Sequence, residues 1–227
     1  MNRLLFQLAV LPAVFLIWYI YRKDKAEKEP AKLLVRLFVL GALVCIVVAF
    51  IEVFASAVLG VVIPESTVMY AFLENFYAVA LVEELAKYFV LKKSTWSSAH
   101  FDYLFDGVVY AVVASLGFAT FENVFYVASG GVSTAIARAL LSVPGHAIDG
   151  VCMGYFYGLA KRADLRGDAT TRGKNLFLAV LGPTAIHGVY DFLISVDLFG
   201  VFLLFEVVVT ILAVLQVNKL SREDAPL

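Results

Sequence analysis

The sequence predicts an all-α fold: a polytopic membrane bundle of about seven transmembrane helices, N-terminus outside and C-terminus cytoplasmic. Three observations carry this. Of 227 residues, 62% are hydrophobic and 16% charged, and mean hydropathy is +0.87, far from the balance of soluble domains. Apolar stretches of about 20 residues, the length a spanning helix needs, follow one another along almost the whole chain. Lysine and arginine concentrate in alternate loops. The alternating segments of roughly ten residues that mark a closed β-barrel are not visible.

The candidate spans, in order, are 3–21, 33–54, 68–91, 104–128, 132–160, 175–196 and 199–217. The first is long for a signal peptide and has no small-residue cleavage site before the charges that follow, so it reads as a retained helix. The fifth is long enough to be divided at Pro144 and Gly145 into a short outer piece, 132–143, and an inner helix. The first loop holds Arg22, Lys23, Lys25, Lys28 and Lys32; the third holds Lys92 and Lys93. The fifth holds Lys161, Arg162, Arg166, Arg172 and Lys174, and the tail holds Lys219 and Arg222. The even-numbered loops hold none. Positive loops stay cytoplasmic, which sets the orientation. The polar and aromatic segment 94–103 belongs at the cytoplasmic interface. Residues 1–227 read as a single membrane-embedded domain. A net charge of -1 with no polybasic face excludes nucleic acid as a partner. Cys45 and Cys152 both lie in apolar stretches, so no disulfide framework is expected.

Ionisable residues inside spans are expensive and are functional candidates by default. The third span carries Glu83-Glu84-Leu85-Ala86-Lys87. Glu83 and Lys87, four apart, share a helix face; Glu84 points about 100° away. One carboxylate can then be held by lysine while its neighbour is free for chemistry, although such a pair also serves packing alone. The fourth span carries Phe118-Ala119-Thr120-Phe121-Glu122-Asn123. The fifth carries Pro144-Gly145-His146 with Asp149 three residues on, and the sixth carries Pro183, His187 and Asp191. A carboxylate on the same face as a histidine fixes its tautomer and raises its basicity as a ligand. Helix breaks beside proline are tolerated where a span lines a cavity. Glu52 and Glu74 are placed near the outer interface. Glu206 lies deeper, and Arg138 is a further polar residue in or near a span.

Two histidines and a carboxylate with an open position form a catalytic zinc shell, and His146, His187 and Glu122 could supply it. Zinc would activate a bound water, with Glu83 or Glu84 as general base and then acid; amide hydrolysis follows. A metal-free version is equally coherent: a glutamate activates water, and His187 with Asn123 stabilises the oxyanion. HExxH, GxSxG and the paired YD and GxGD motifs are absent. Two other classes compete. Intramembrane Asp, Glu and His also build proton- or cation-coupled transporters, and the same motifs could serve a non-catalytic scaffold.

Glu83-Glu84-x-x-Lys87, Phe118-x-x-x-Glu122-Asn123 and His187-x-x-x-Asp191, in this order on successive helices, resemble the PrsW family of intramembrane proteases. That family is related to the CAAX-protease and bacteriocin-processing superfamily, and Glu122 stands where those relatives have histidine. The resemblance covers about 68–191. It implies an intramembrane endopeptidase with the paired glutamates and the histidines as catalytic candidates; joined to the residue chemistry above, the expected site is Glu83, Glu84, Lys87, Asn123 and Asp191 in catalysis and Glu122, His146 and His187 as metal ligands. The expected partners are the lipid bilayer and a single-span membrane protein substrate, by resemblance an anti-sigma factor. The expected location is a bacterial or archaeal cytoplasmic membrane.

Overall fold

A computed structural model describes residues 3–227. Apart from turns and one isolated bridge between Tyr103 and Pro226, the ordered elements among them are helical. Helices α1 (Arg3–Lys23) and α2 (Ala31–Val62) open the chain. The stretch expected as the third span is one helical rod in three parts: α3 (Val68–Leu73), a π-helical turn over Glu74–Ala80, and α4 (Leu81–Thr95). Then follow α5 (Asp106–Leu140), α6 (Ser142–Leu165), α7 (Ala169–Ser195) and α8 (Phe199–Glu223). Five stretches are long and apolar enough to cross a membrane: α1, α2, α5 with α6 as one 60-residue run, α7 and α8.

The stretch expected as the fourth span, the part of α5 before the kink at Gly131, sits at the centre. Every side chain from 105 to 120 is buried, as the all-round apolar sequence of that stretch demands. The neighbours α2 and α6 approach it through glycine. A Cβ on Gly154 would lie 2.4 Å from the Gly107 carbonyl oxygen, and one on Gly117 would lie 2.2 Å from that of Phe38. In lipid the apolar medium offers helices no hydrophobic drive to associate, and small residues gain contact area by letting backbones close up. The outer faces of the bundle carry large apolar side chains, such as Phe50, Val61 and Leu204, that are 75%, 87% and 66% exposed; these are the surfaces a bilayer would cover.

The expected division of the fifth span exists, at different residues. Gly131, at φ 73 and ψ -154, bends the chain inside α5. Leu141, at φ -120 and ψ -62, separates α5 from α6. Pro144 falls in the first turn of α6, where its missing N–H interrupts no helical hydrogen bond. The segment after Gly131 therefore folds back along the end of α5 and brings Arg138 to a residue sixteen positions earlier. At the basic end of the bundle, the C-terminal tail closes over the loop before α5: the Leu227 amide donates to the Asp102 carbonyl at 2.7 Å.

Candidate active site

The π-helical turn sets the phase of α4. Each wide turn inserts a residue relative to an α-helix, and the Leu81 amide accordingly reaches back to the Phe76 carbonyl. Glu83, Glu84 and Lys87 follow immediately, all buried. Lys87, fully buried, donates to Glu83 Oε2 at 2.8 Å and to Glu84 Oε1 at 2.7 Å. The sequence suggested that one carboxylate is held and the other free. The lysine holds both, because its long stem reaches the i-3 and i-4 positions together. The ammonium also lies 4.4 Å from the Phe118 ring centroid.

The third partner of Lys87 is His146 Nδ1, at 3.1 Å. An ammonium can only donate, so Nδ1 accepts and the ring proton sits on Nε2, which donates to Glu122 Oε2 at 3.0 Å. Glu122 Oε2 also accepts from Arg138 Nη2 at 2.7 Å. His187 is built in the same way. Its Nε2 lies 3.2 Å from Asp191 Oδ2, four residues on, and its Nδ1 lies 3.0 Å from Glu84 Oε1. With Nε2–H directed at Asp191, the Nδ1 and Glu84 lone pairs meet at a spacing that requires a proton or a cation between them. The two imidazoles pack edge to face, 5.4 Å between centroids.

Asp149 does not back His146, as its three-residue spacing suggested. Its Oδ2 lies 3.9 Å from His187 Nδ1, and its Oδ1 has no partner. Asn123 is turned away from the centre. Its amide donates to the Ala9 carbonyl, and its oxygen accepts from Arg138 Nε, both at 2.8 Å. Arg138 is the residue that sequence reasoning undervalued: its guanidinium fork ties Asn123 to Glu122 and lies 4.2 Å from the Tyr126 ring centroid. The only sequence signal was an arginine in a segment otherwise apolar.

A cavity of about 370 Å³ opens beside this cluster. Glu83, Glu122, His146, Asp149, His187 and Asp191 line it; Glu84, Lys87 and Asn123 do not. Glu83, Glu84, His146 and His187 each offer one ligand atom, all within 4.8 Å of one another. Glu122 falls outside that group of four, on the far side of His146. The donors fit a divalent cation. Two histidines and carboxylates match a catalytic zinc shell, and each ring has a carboxylate on its far nitrogen, which fixes the tautomer of a metal-bound histidine.

The PrsW family intramembrane metalloprotease model matches residues 29–217. Protease PrsW of Oceanobacillus iheyensis is 39% identical over 82% of this chain and 80% of its own length. The Bacillus subtilis Protease PrsW is 37% identical over 82% and 80%, and that of Clostridioides difficile is 32% identical over 96% and 90%. No solved structure matches significantly. These relatives give no support to a transporter, and being bacterial they give none to an archaeal source. This chain, an integral membrane protein whose buried carboxylates and imidazoles meet at one cavity, belongs to the PrsW family and is an intramembrane protease.

Proposed function

We propose that the chain is a single membrane-embedded domain that hydrolyses a peptide bond of a membrane-anchored segment, with Glu83 as the base that activates water. The observation that carries this is the division of labour between the paired glutamates: Glu83 lines the cavity, whereas Glu84 is fully buried behind it between Lys87 and His187. Water bound in the cavity gives a proton to Glu83 as its oxygen attacks the scissile carbonyl. The C–N bond then breaks as Glu83 returns the proton to the leaving amine. Glu84 orients His187, whose second nitrogen is held by Asp191, and Lys87 balances the charge of both glutamates. Asn123 acts at one remove, by holding Arg138 and through it Glu122.

Of the four grouped residues, His146, His187 and Glu84 would hold a divalent ion, which would, when bound, lower the pKa of a water towards 7 and polarise the carbonyl, with Glu83 left as the base. The Lys87 ammonium bonds three of those four residues, so ion and ammonium compete for the same lone pairs.

Counting the rod 68–95 as one crossing and separating α5 from α6 at Leu141 makes seven crossings. With the basic loops cytoplasmic, the site lies towards the outer face of a bacterial cytoplasmic membrane: His187 is about 12 Å from the end of α7 at 1.5 Å per residue. An anti-sigma factor with one span is the substrate that the family resemblance suggests.

The test is cleavage of single-span peptides by the purified, reconstituted chain. Glu83→Gln and His187→Ala abolish it if the reading holds, and undiminished cleavage by either rules it out. Metal analysis of the active preparation, with chelation and readdition of zinc, separates the metal-assisted from the metal-free route.

A further inference from the structure

No hydrogen bond among the described residues engages Asp149. It stands on α6, 3% exposed, and its side chain borders the cavity. Its Oδ1 is buried without a partner, and its Oδ2 lies 3.9 Å from His187 Nδ1. Three carboxylate oxygens from two helices converge on that one nitrogen: Glu84 Oε1 at 3.0 Å, Glu83 Oε2 at 3.8 Å and Asp149 Oδ2 at 3.9 Å.

These separations distinguish a proton from a metal ion. A proton on Nδ1 serves Glu84 alone, because N–H···O bonds end near about 3.2 Å. A proton on Asp149 neutralises that carboxyl but does not join it to an imidazole 3.9 Å away. A metal ion spans the wider gaps. With bonds of about 2.0–2.2 Å, two atoms on one zinc lie up to about 4.3 Å apart, and all three separations fall inside that limit. The charges agree. Lys87 bonds Glu83 and Glu84, and Arg138 bonds Glu122. Of the carboxylates that face His187 Nδ1, Asp149 is therefore the one that no ammonium or guanidinium holds.

Resting on the protease reading and its metal-assisted route, we propose that Asp149 is a further protein ligand of the divalent ion, bound beside His187 Nδ1, while Glu83 stays free to act on water. Asp149 supplies what Glu84 and His146 do not, a donor that Lys87 has not already engaged. Its position three residues after His146 lets one turn of α6 deliver both. Asp149 lies outside the four residues whose ligand atoms all fall within 4.8 Å of one another. Because it borders the cavity, rotation about its side-chain bonds closes that distance.

The experiment titrates cobalt(II), a coloured stand-in for zinc, into the purified full chain in detergent, with affinity read against a chelating indicator. Asp149→Asn lowers that affinity by at least about ten-fold, the scale on which lost partners of a metal site are felt. Glu206→Gln removes another buried carboxylate from the cavity wall and changes the affinity by less than about two-fold, since it touches no ligand. Asp149→Cys adds a thiolate-to-cobalt charge-transfer band. The unmodified protein lacks that band although it carries Cys45 and Cys152. Equal losses in the Asn and Gln variants mark a general effect of charge and overturn the proposal. Unchanged affinity in Asp149→Asn overturns it, as does a cobalt complex of Asp149→Cys without the band; both are the results expected of a carboxyl that only holds a proton. No cobalt binding by the unmodified protein overturns it too. Cleavage of single-span peptides by that same preparation then leaves the protease reading standing, and absence of cleavage removes both.

Discussion

Lys87→Met removes the one ammonium within hydrogen-bond reach of both glutamates among the described residues. Methionine keeps an apolar stem of similar length and gives up the ammonium together with its place over the Phe118 ring, so the change is mainly one of charge. At N–O distances of 2.7 and 2.8 Å, and an effective dielectric of about 20, each pair carries about 6 kcal/mol of Coulomb attraction. Much of that offsets the cost of taking three charges out of water. Removing one partner from a buried pair exposes the cost, typically about 3–5 kcal/mol. The expected loss lies in that range, since Lys87 and Glu84 are fully buried and Glu84 Oε2 already lacks a partner. The assay is unfolding of the purified chain in mixed micelles by an SDS titration, followed by circular dichroism. Glu84→Gln added to Lys87→Met removes an orphaned charge and restores about 1–3 kcal/mol as a coupling between neighbours. A single variant within about 0.5 kcal/mol of the unmodified protein, or a double variant no more stable than the single, would refute the view that this ammonium neutralises the cluster.

Three further outcomes follow from other parts of the molecule. Gly154→Ala sets a Cβ against the Gly107 backbone and costs about 1–3 kcal/mol or more; the same titration measures it. Arg138→Lys lowers kcat of peptide cleavage by roughly ten-fold, because an ammonium cannot reproduce the fork that joins Glu122 to Asn123; equal kcat in both proteins would contradict the positioning role. Asp24, in the loop after α1, is buried, and that burial pushes its carboxyl up to about 6, with Lys28 offsetting part of the effect. A carboxyl raised in the folded state binds more protons there than in the unfolded chain, so stability falls as pH rises from about 4 to 6 and is level above. At about 1.4 kcal/mol per pH unit the contribution is at most about 3 kcal/mol. Asp24→Asn therefore raises thermal stability at pH 7.5 and leaves it unchanged near pH 4, as thermal unfolding across that range would show.

Hydropathy and charge asymmetry are properties of the chain itself, so the helical class, the order of the apolar stretches and the membrane setting could be read without coordinates. The same holds for the candidate residues. Carboxylates, imidazoles and a lysine inside apolar runs are conspicuous because lipid makes them costly, and helical spacing alone paired His187 with Asp191. What spacing along one helix cannot supply is the relation between helices. The Lys87–His146 bond joins residues 59 apart, and Glu84 meets His187 across 103. The π-helical turn before α4, the bend at Gly131 and the break at Leu141 decide which faces those residues turn to one another. None of the three has a local signal stronger than a glycine. For that reason Glu122 reads as a ligand from the sequence but lies behind His146 in the fold. Arg138 and Glu206 look incidental on their own helices; only the tertiary packing sets one in the support of the site and the other, unpaired, on its wall.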